Sequence, residues 1–174
     1  GAEINTPGDE KSPFMHSDSY TLYFSSNYHI GMGGYDIFYS KMDEKSKQFK
    51  KPINIGNPIN TPKNEHGFIV SKDGDKAYYG SNDNGKDLNI YSFELYEEAR
   101  PKKVIMVKGE VTDDEGEPIK DAKVEISYKN TNVSVEVKIN GDYGKYAVII
   151  KVEEAQDVMV TVKKEGHSFD TKLI

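Results

Sequence analysis

Hydrophobic and polar residues alternate along this chain in two different rhythms. Over residues 1–96 the apolar runs are short, rich in Tyr and Phe, and separated by Gly, Asn, Asp and Pro clusters. From residue 104 onward the aromatics thin out and plain Val/Ile alternation takes over. Period-two alternation bounded by turn residues predicts β-strands. The first region is expected to hold strands near 12–16, 21–25 and 35–41, a fourth around 49–55, then strands near 67–71, 76–80 and 88–95. The second is expected to hold strands at 104–112, 122–128, 133–139, 145–152 and 157–164, with an edge strand in the tail from His167 to Ile174. No long segment carries a helical period. Any helix is expected to be a single turn near 42–47 or 96–100.

The first region repeats itself. Sliding the chain by 55 residues aligns Ile4–Asn27 with Ile59–Asn82, and nine of those 24 positions are identical. Chance would supply about one or two for sequences of ordinary composition. The identities are Ile4/Ile59, Asn5/Asn60, Thr6/Thr61, Pro7/Pro62, Glu10/Glu65, Asp18/Asp73, Tyr23/Tyr78, Ser26/Ser81 and Asn27/Asn82. After a shorter loop the match resumes two residues out of step, with Asp36-Ile37-Phe38 opposite Asn89-Ile90-Tyr91. Each unit thus runs from a Pro/Asn lead-in to a strand, an Asp turn, a second strand, a Gly/Asn loop and a third strand. Asp18, Asp73 and Gly74 are read as turn residues, and so are Gly116 and Gly144 in the second region.

These patterns predict an all-β chain: two antiparallel propeller-blade-like meanders, forming a partial propeller, over 1–96, and a small Greek-key β-sandwich over 104–174. The charged, Pro-containing stretch 97–103 reads as a linker. Two blades pose a problem, because a propeller closes with about four to eight. Three arrangements answer it: the chain is a fragment of a larger propeller, the two sheets face each other, or the sandwich or a second chain covers the open face. The Ala2–Ile4 segment is a candidate for the outer strand that unit two lacks.

Composition narrows the function classes. Hydrophobic residues make up 36% and charged residues 30%, which still allows a core because the apolar residues are clustered. A net charge of −6 argues against nucleic acid, which rewards basic surfaces. No apolar run approaches the roughly 20 residues of a membrane span. The absence of Cys removes disulfides, thiolate metal sites and Cys nucleophiles. The chain opens Gly1-Ala2-Glu3-Ile4, without initiator Met or signal-type order, as expected of a mature or trimmed piece of a longer protein.

Candidate chemistry is sparse. His16, His29, His66 and His167 form no close ligand pair, so packing is the favoured role. There is no GxSxG elbow. Gly31-Met32-Gly33-Gly34 lacks the Lys-Ser/Thr and following helix of a phosphate loop, and reads as a blade-edge loop. Asp113-Asp114-Glu115-Gly116-Glu117 lacks the alternating ligands of an EF-hand, and reads as an acidic hairpin turn. No enzyme activity, cofactor or metal is expected. The suggestive cluster is aromatic: Tyr28, His29, Met32 and Tyr35, together with Tyr20, could grip a partner or stack on sugars. The alternative is that Tyr23, Phe24, Phe38 and Tyr35 fill space between sheets.

The residues Asp18, Leu22-Tyr23-Phe24-Ser25-Ser26, Gly31-Met32-Gly33-Gly34 and Asp36-Ile37-Phe38 give the first region a resemblance to known blades. It resembles the WD-repeat-like propeller blades of TolB-type proteins, and above all those of Bacteroidetes OmpA-family envelope proteins. It departs from them in having Phe49 where Trp is usual, and Asp83-Asn84-Gly85-Lys86 in place of the second glycine loop. Val107-x-Gly109-x-Val111-x-Asp113, Gly116-x-Pro118, Ala122-x-Val124 and Gly144-Lys145-Tyr146 make residues 104–174 similar to the carboxypeptidase-regulatory-like, transthyretin-like domain. Gly166-His167 stands there where Gly-Tyr is usual. The combination is seen in envelope proteins that include type IX secretion components. The resemblance implies a non-catalytic scaffold in the periplasm or at the outer membrane, with protein partners. Peptidoglycan would be reached only through a domain absent from this chain. Two other readings stay open: a glycan- or peptide-binding module, and an accessory region of an envelope hydrolase.

Overall fold

In the computed structural model the described residues are 1–82, 87–119, 121–129, 134–139, 142–151, 157–165 and 170–173. The Asp83–Lys86 loop and His167 lie outside them. The chain divides into two compact units, Gly1–Val104 and Ile105–Ile174. Among the described residues all regular structure is β apart from one 3-10 turn at Glu97–Ala99, and the sheets are open.

Unit 1 contains two meanders. The first comprises β1 (Glu10–Met15), β2 (Thr21–Ser26), β3 (Asp36–Lys41) and β4 (Ile53–Asn54), antiparallel and hydrogen-bonded in sequence order. The expected fourth strand shrinks to β4 and an isolated Met42–Phe49 bridge. The second comprises β5 (Glu65–Val70), β6 (Lys76–Ser81) and β7 (Asn89–Glu94), also antiparallel in order. One apolar cluster joins them: Tyr23, Ile37, Tyr39 and Ile55 from the first half, and Ile59, Phe68, Val70, Ala77 and Leu95 from the second. The Tyr23 and Phe68 ring centroids are 5.1 Å apart.

The duplication extends to individual bonds. Thr6 donates its N–H and hydroxyl to the Glu10 carboxylate, which also accepts from the Ser26 hydroxyl. Thr61, Glu65 and Ser81 do the same 55 residues on. Both first strands bulge at one place, between Lys11 and Phe14 and between His66 and Ile69. The bulge needs a left-handed residue: Gly67 at φ 64° in one copy, Ser12 at φ 49° in the other. The Asp turns behave alike, with Ser19 at φ 60° and Gly74 at φ 78°. Glycine adopts this region freely, whereas a Cβ makes it costly.

Two expectations are corrected here. Ala2–Ile4 is not an outer strand of the second meander. It belongs to a turn in which Ile4 and Asn5 both donate N–H to the Gly1 carbonyl, and Ile4 is buried on Phe24 and Phe38. Gly56–Asn60 repeats that turn. The 97–103 stretch is likewise not a loose linker within unit 1. The Ala99 carbonyl accepts from the Tyr23 hydroxyl at 2.5 Å, Tyr96 reaches the Ile55 carbonyl, Lys41 reaches the Glu98 carbonyl, and Lys102 N–H reaches Asp18. Sequence pattern marked this stretch by its charge and Pro. Its contacts are made by the Glu98 and Ala99 carbonyls, the Lys102 N–H, and the buried Ala99 and Pro101.

Unit 2 holds a four-stranded sheet in the order β10 (Ser134–Val137), β9 (Lys123–Tyr128), β12 (Val158–Lys163), β13 (Asp170–Leu173). A second sheet pairs β11 (Lys145–Lys151) with β8 (Val104–Glu110). Val124, Ile126, Val137, Val158 and Val160 of the first sheet share one core with Val107 and Ile150 of the second.

The two bulges give a direct test. No atom lies within 4 Å of a Cβ built on Gly67, so its requirement is purely conformational. Gly67→Ala should therefore destabilise unit 1 by about 1 kcal/mol. Ser12→Gly should leave it within about 0.5 kcal/mol, since relieved strain offsets the added freedom of the unfolded chain. Urea unfolding of both variants measures this; equal losses would refute the conformational reading.

Candidate functional site

The 27–35 loop joins β2 to β3 and is held from several sides. Tyr28 and His29 donate N–H to the Ser26 hydroxyl, and Asn27 accepts from Asp9 N–H at 2.8 Å. Asp36, itself buried, accepts from the N–H groups of Met32 and Gly33 at 2.9 and 3.0 Å. Gly34 N–H donates to the Lys63 carbonyl, and Tyr35 N–H to the Asn64 side chain. The three glycines of this loop are steric necessities. A Cβ on Gly31 would fall 2.0 Å from the Asp36 carboxylate. On Gly33 it would lie 2.4 Å from the Thr61 carbonyl, and on Gly34 2.2 Å from the Asn64 carboxamide oxygen. The loop is therefore pressed onto the lead-in of the second meander.

Of the four residues expected to bind, the structure divides two from two. His29 is used internally: its ring lies 5.8 Å from Phe24 and 5.2 Å from Phe38, and Nε2 is 3.0 Å from the Ile4 carbonyl. Tyr35 is also engaged. Its hydroxyl donates to Asp9 at 2.9 Å, Lys11 Nζ sits 4.2 Å from its ring centroid, and His66 lies against it. Tyr28 and Met32 remain available, 59% and 48% exposed. Between them the sequence reading missed Ile30, which is 95% exposed. The signal existed, since an isoleucine beside a glycine run has no strand to pack in. What the loop presents is Tyr28, Ile30 and Met32 at alternate positions on a restrained backbone. Such a surface can bury apolar area against a partner with little loss of loop entropy.

The two Asp turns diverge despite their alignment. Asp18 is buried and accepts from Tyr20 N–H, Thr21 N–H, the Thr21 hydroxyl and Lys102 N–H, all within 2.9 Å. Its own N–H donates to His16 Nδ1, while His16 Nε2 faces the Ser71 carbonyl at 3.1 Å. Ser71 is the repeat equivalent of His16, so this buried imidazole bridges the two turns. Asp73 has no such role: it is exposed and pairs only with Lys72 at 3.2 Å. In that turn Gly74 does the work, being left-handed and 3.0 Å from Pro101 at its missing Cβ.

In unit 2, Gly116 turns the acidic hairpin at φ 88°, and Asp113 accepts N–H from Glu115 and Glu117. Gly144, at φ 62°, would place a Cβ 2.6 Å from the Val111 carbonyl. Among the described residues, no group of three or more His, Cys, Asp or Glu side chains is placed to hold a metal ion. No described helix is long and apolar enough to cross a membrane. Compared with protein-family models, curated proteins and solved structures, the chain matches none.

Burial by itself raises the Asp18 carboxyl, but the His16 imidazole beside it and the donors of Tyr20 and Thr21 outweigh this. They hold it far below the ordinary carboxylate range. A depressed folded value means that the stabilisation is complete above the unfolded value of about 4 and fades as pH falls below it. Asp18→Asn should lower the stability of unit 1 at neutral pH by about 3 kcal/mol, because it removes a buried charge from four donors. It should also flatten the acid limb of the stability curve below about pH 4. Asp73→Asn should do neither. Denaturant titrations across pH distinguish the two, and matching acid limbs for Asp18→Asn and the unmodified chain would contradict the assignment.

Proposed function

We propose that this chain is a non-catalytic β scaffold that presents the Tyr28–Met32 loop to a protein partner. The observation that carries the reading is the split within the loop. Every polar anchor and two of its aromatic rings are spent on the fold, while Tyr28, Ile30 and Met32 are turned out to solvent. Exposed apolar side chains on a fixed backbone suit the buried centre of a protein interface. A sugar-stacking platform fits less well, because the Tyr35 ring is already covered by Lys11 and His66.

The architecture supports the rest of the reading. We take the two duplicated meanders as propeller-type blades and unit 2 as a transthyretin-like Greek-key sandwich, both scaffolds whose loops carry function. On the sequence resemblance, we read the chain as part of an OmpA-family protein of a Gram-negative envelope of Bacteroidetes type, in the periplasm or at the outer membrane. Envelope proteins are then its partners, and peptidoglycan is contacted only by a domain outside this chain.

The test is capture. The immobilised chain, incubated with detergent-solubilised envelope proteins, should retain a defined partner. The triple variant Tyr28→Ser, Ile30→Ser, Met32→Ser should lose at least about tenfold of that affinity. Its melting temperature should stay within about 2 °C, because all three side chains are exposed. Undiminished capture by the triple variant would rule out this loop, and retention of isolated glycans in its place would favour the sugar-binding alternative.

A further inference from the structure

The contact between the two meanders shows how one repeat receives the next. Tyr23 and Ile37, on the first meander, are fully buried against Phe68 and Ala77 of the second. Asn60 seals the junction by accepting from Ile37 N–H at 2.8 Å and donating to the Ile37 carbonyl at 2.9 Å. Carried forward one repeat, the positions of Phe14, Tyr23 and Ile37 become Ile69, Tyr78 and Ile90. These three lie open, 48%, 38% and 82% exposed. Their meander also stops at β7, whereas β3 is followed by β4. The second meander thus offers the same knobs as the first, with no described residues seated over them.

The complementary hollow lies at the other end of unit 1. A groove of about 280 Å³ runs between the Gly1–Ile4 turn and the first meander, lined by Ile4, Asn5, Pro13, Leu22, Phe24 and Phe49 among others. Pro13, Leu22 and Phe24 are the repeat equivalents of Phe68, Ala77 and Tyr79, which meet the first meander inside the chain. Asn5 is the equivalent of Asn60 and is exposed at the groove. Both halves of the internal junction therefore recur on the surface of the described residues.

We propose that the open face of β5–β6–β7 docks into this groove on a second copy of the chain. Tyr78 and Ile90 enter the groove, and Asn5 of the receiving copy takes the backbone N–H and carbonyl of Ile90, as Asn60 takes those of Ile37. The two surfaces differ, so the contact is head-to-tail. Each copy keeps one knob face and one groove, and assembly proceeds to a closed ring or a filament. Tyr28, Ile30 and Met32 do not line the groove, and the proposal does not depend on the partner proposed for their loop.

The lack of cysteine gives a clean background for the test. Single variants Asn5→Cys and Ile90→Cys, mixed and treated with a short bismaleimide, should form a crosslinked pair whose yield rises with concentration. A mixture of Lys45→Cys with Ile90→Cys is the control, since Lys45 is equally accessible but lies outside the groove. Sedimentation of the unmodified chain should show self-association, weakened about tenfold or more by Ile90→Asp. That variant should melt with the unmodified chain, because Ile90 is exposed. A chain that sediments as a monomer up to roughly 0.5 mM, or crosslinks no faster than the control, overturns the proposal and leaves the face to a different partner. Neither result would touch the capture experiment on the loop.

Discussion

The bond pair between Asn60 and the backbone of Ile37 is the constraint on which unit 1 depends. Asn60 is fully buried, so each of its polar atoms needs a partner, and it finds them in Ile37 N–H, the Ile37 carbonyl and Asn54. An unpaired buried amide costs more than a hydrogen bond contributes. The lead-in of the second meander can therefore lie against β3 in one register only. That register brings Ile59 beside Ile37, Tyr23 onto Phe68, and Asn64 to Tyr35 N–H. Gly33 and Gly34 follow from the same fact, since the Thr61–Asn64 backbone and side chain occupy the space where their Cβ atoms would go.

Repetition was the part of this molecule most legible in the sequence, and the structure explains why. Thr6, Glu10 and Ser26 are identical to Thr61, Glu65 and Ser81 because each set closes one carboxylate clamp, which leaves no freedom to vary. Strand positions followed from period-two alternation, and the turn at Asp18 from its side chain. Other features left weaker traces. The bulge is Ser12 in one copy and Gly67 in the other, so its shared backbone is hidden by different residues. The 97–103 stretch engages largely through backbone groups, the Glu98 and Ala99 carbonyls and the Lys102 N–H, which carry no residue signature. Ala2–Ile4 carries no strand pattern of its own, and the Gly1 carbonyl captures two successive N–H groups and makes it a turn.

The candidate site was legible in place rather than in detail. The loop that the second repeat does not copy is the one with exposed apolar side chains, and Tyr28 and Met32 belong to it. His29 and Tyr35 were indistinguishable from them in sequence, because aromatic and imidazole rings serve binding and packing equally well. Only the positions of Phe24, Phe38, Asp9 and Lys11 decide between those uses. Asp73 is the converse case. Identity with Asp18 suggested a shared role, but the donors that make Asp18 a hub include Lys102 N–H, and that segment passes only once.

Tyr23 and Tyr78 make the general point. They are the same residue at the same place in two copies of one design, yet one is fully buried and the other 38% exposed. Local sequence sets the strand and the face, and position in the array sets whether that face is covered. A repeat with another packed against this face must use its aromatics for packing. A terminal repeat presents the same aromatics to solvent, with geometry already suited to a β-sheet neighbour. Exposed apolar area of this kind is costly to leave in water. The surface most in need of a partner is therefore set by where the array ends, and the surface most free to choose one is the loop that the array never repeated.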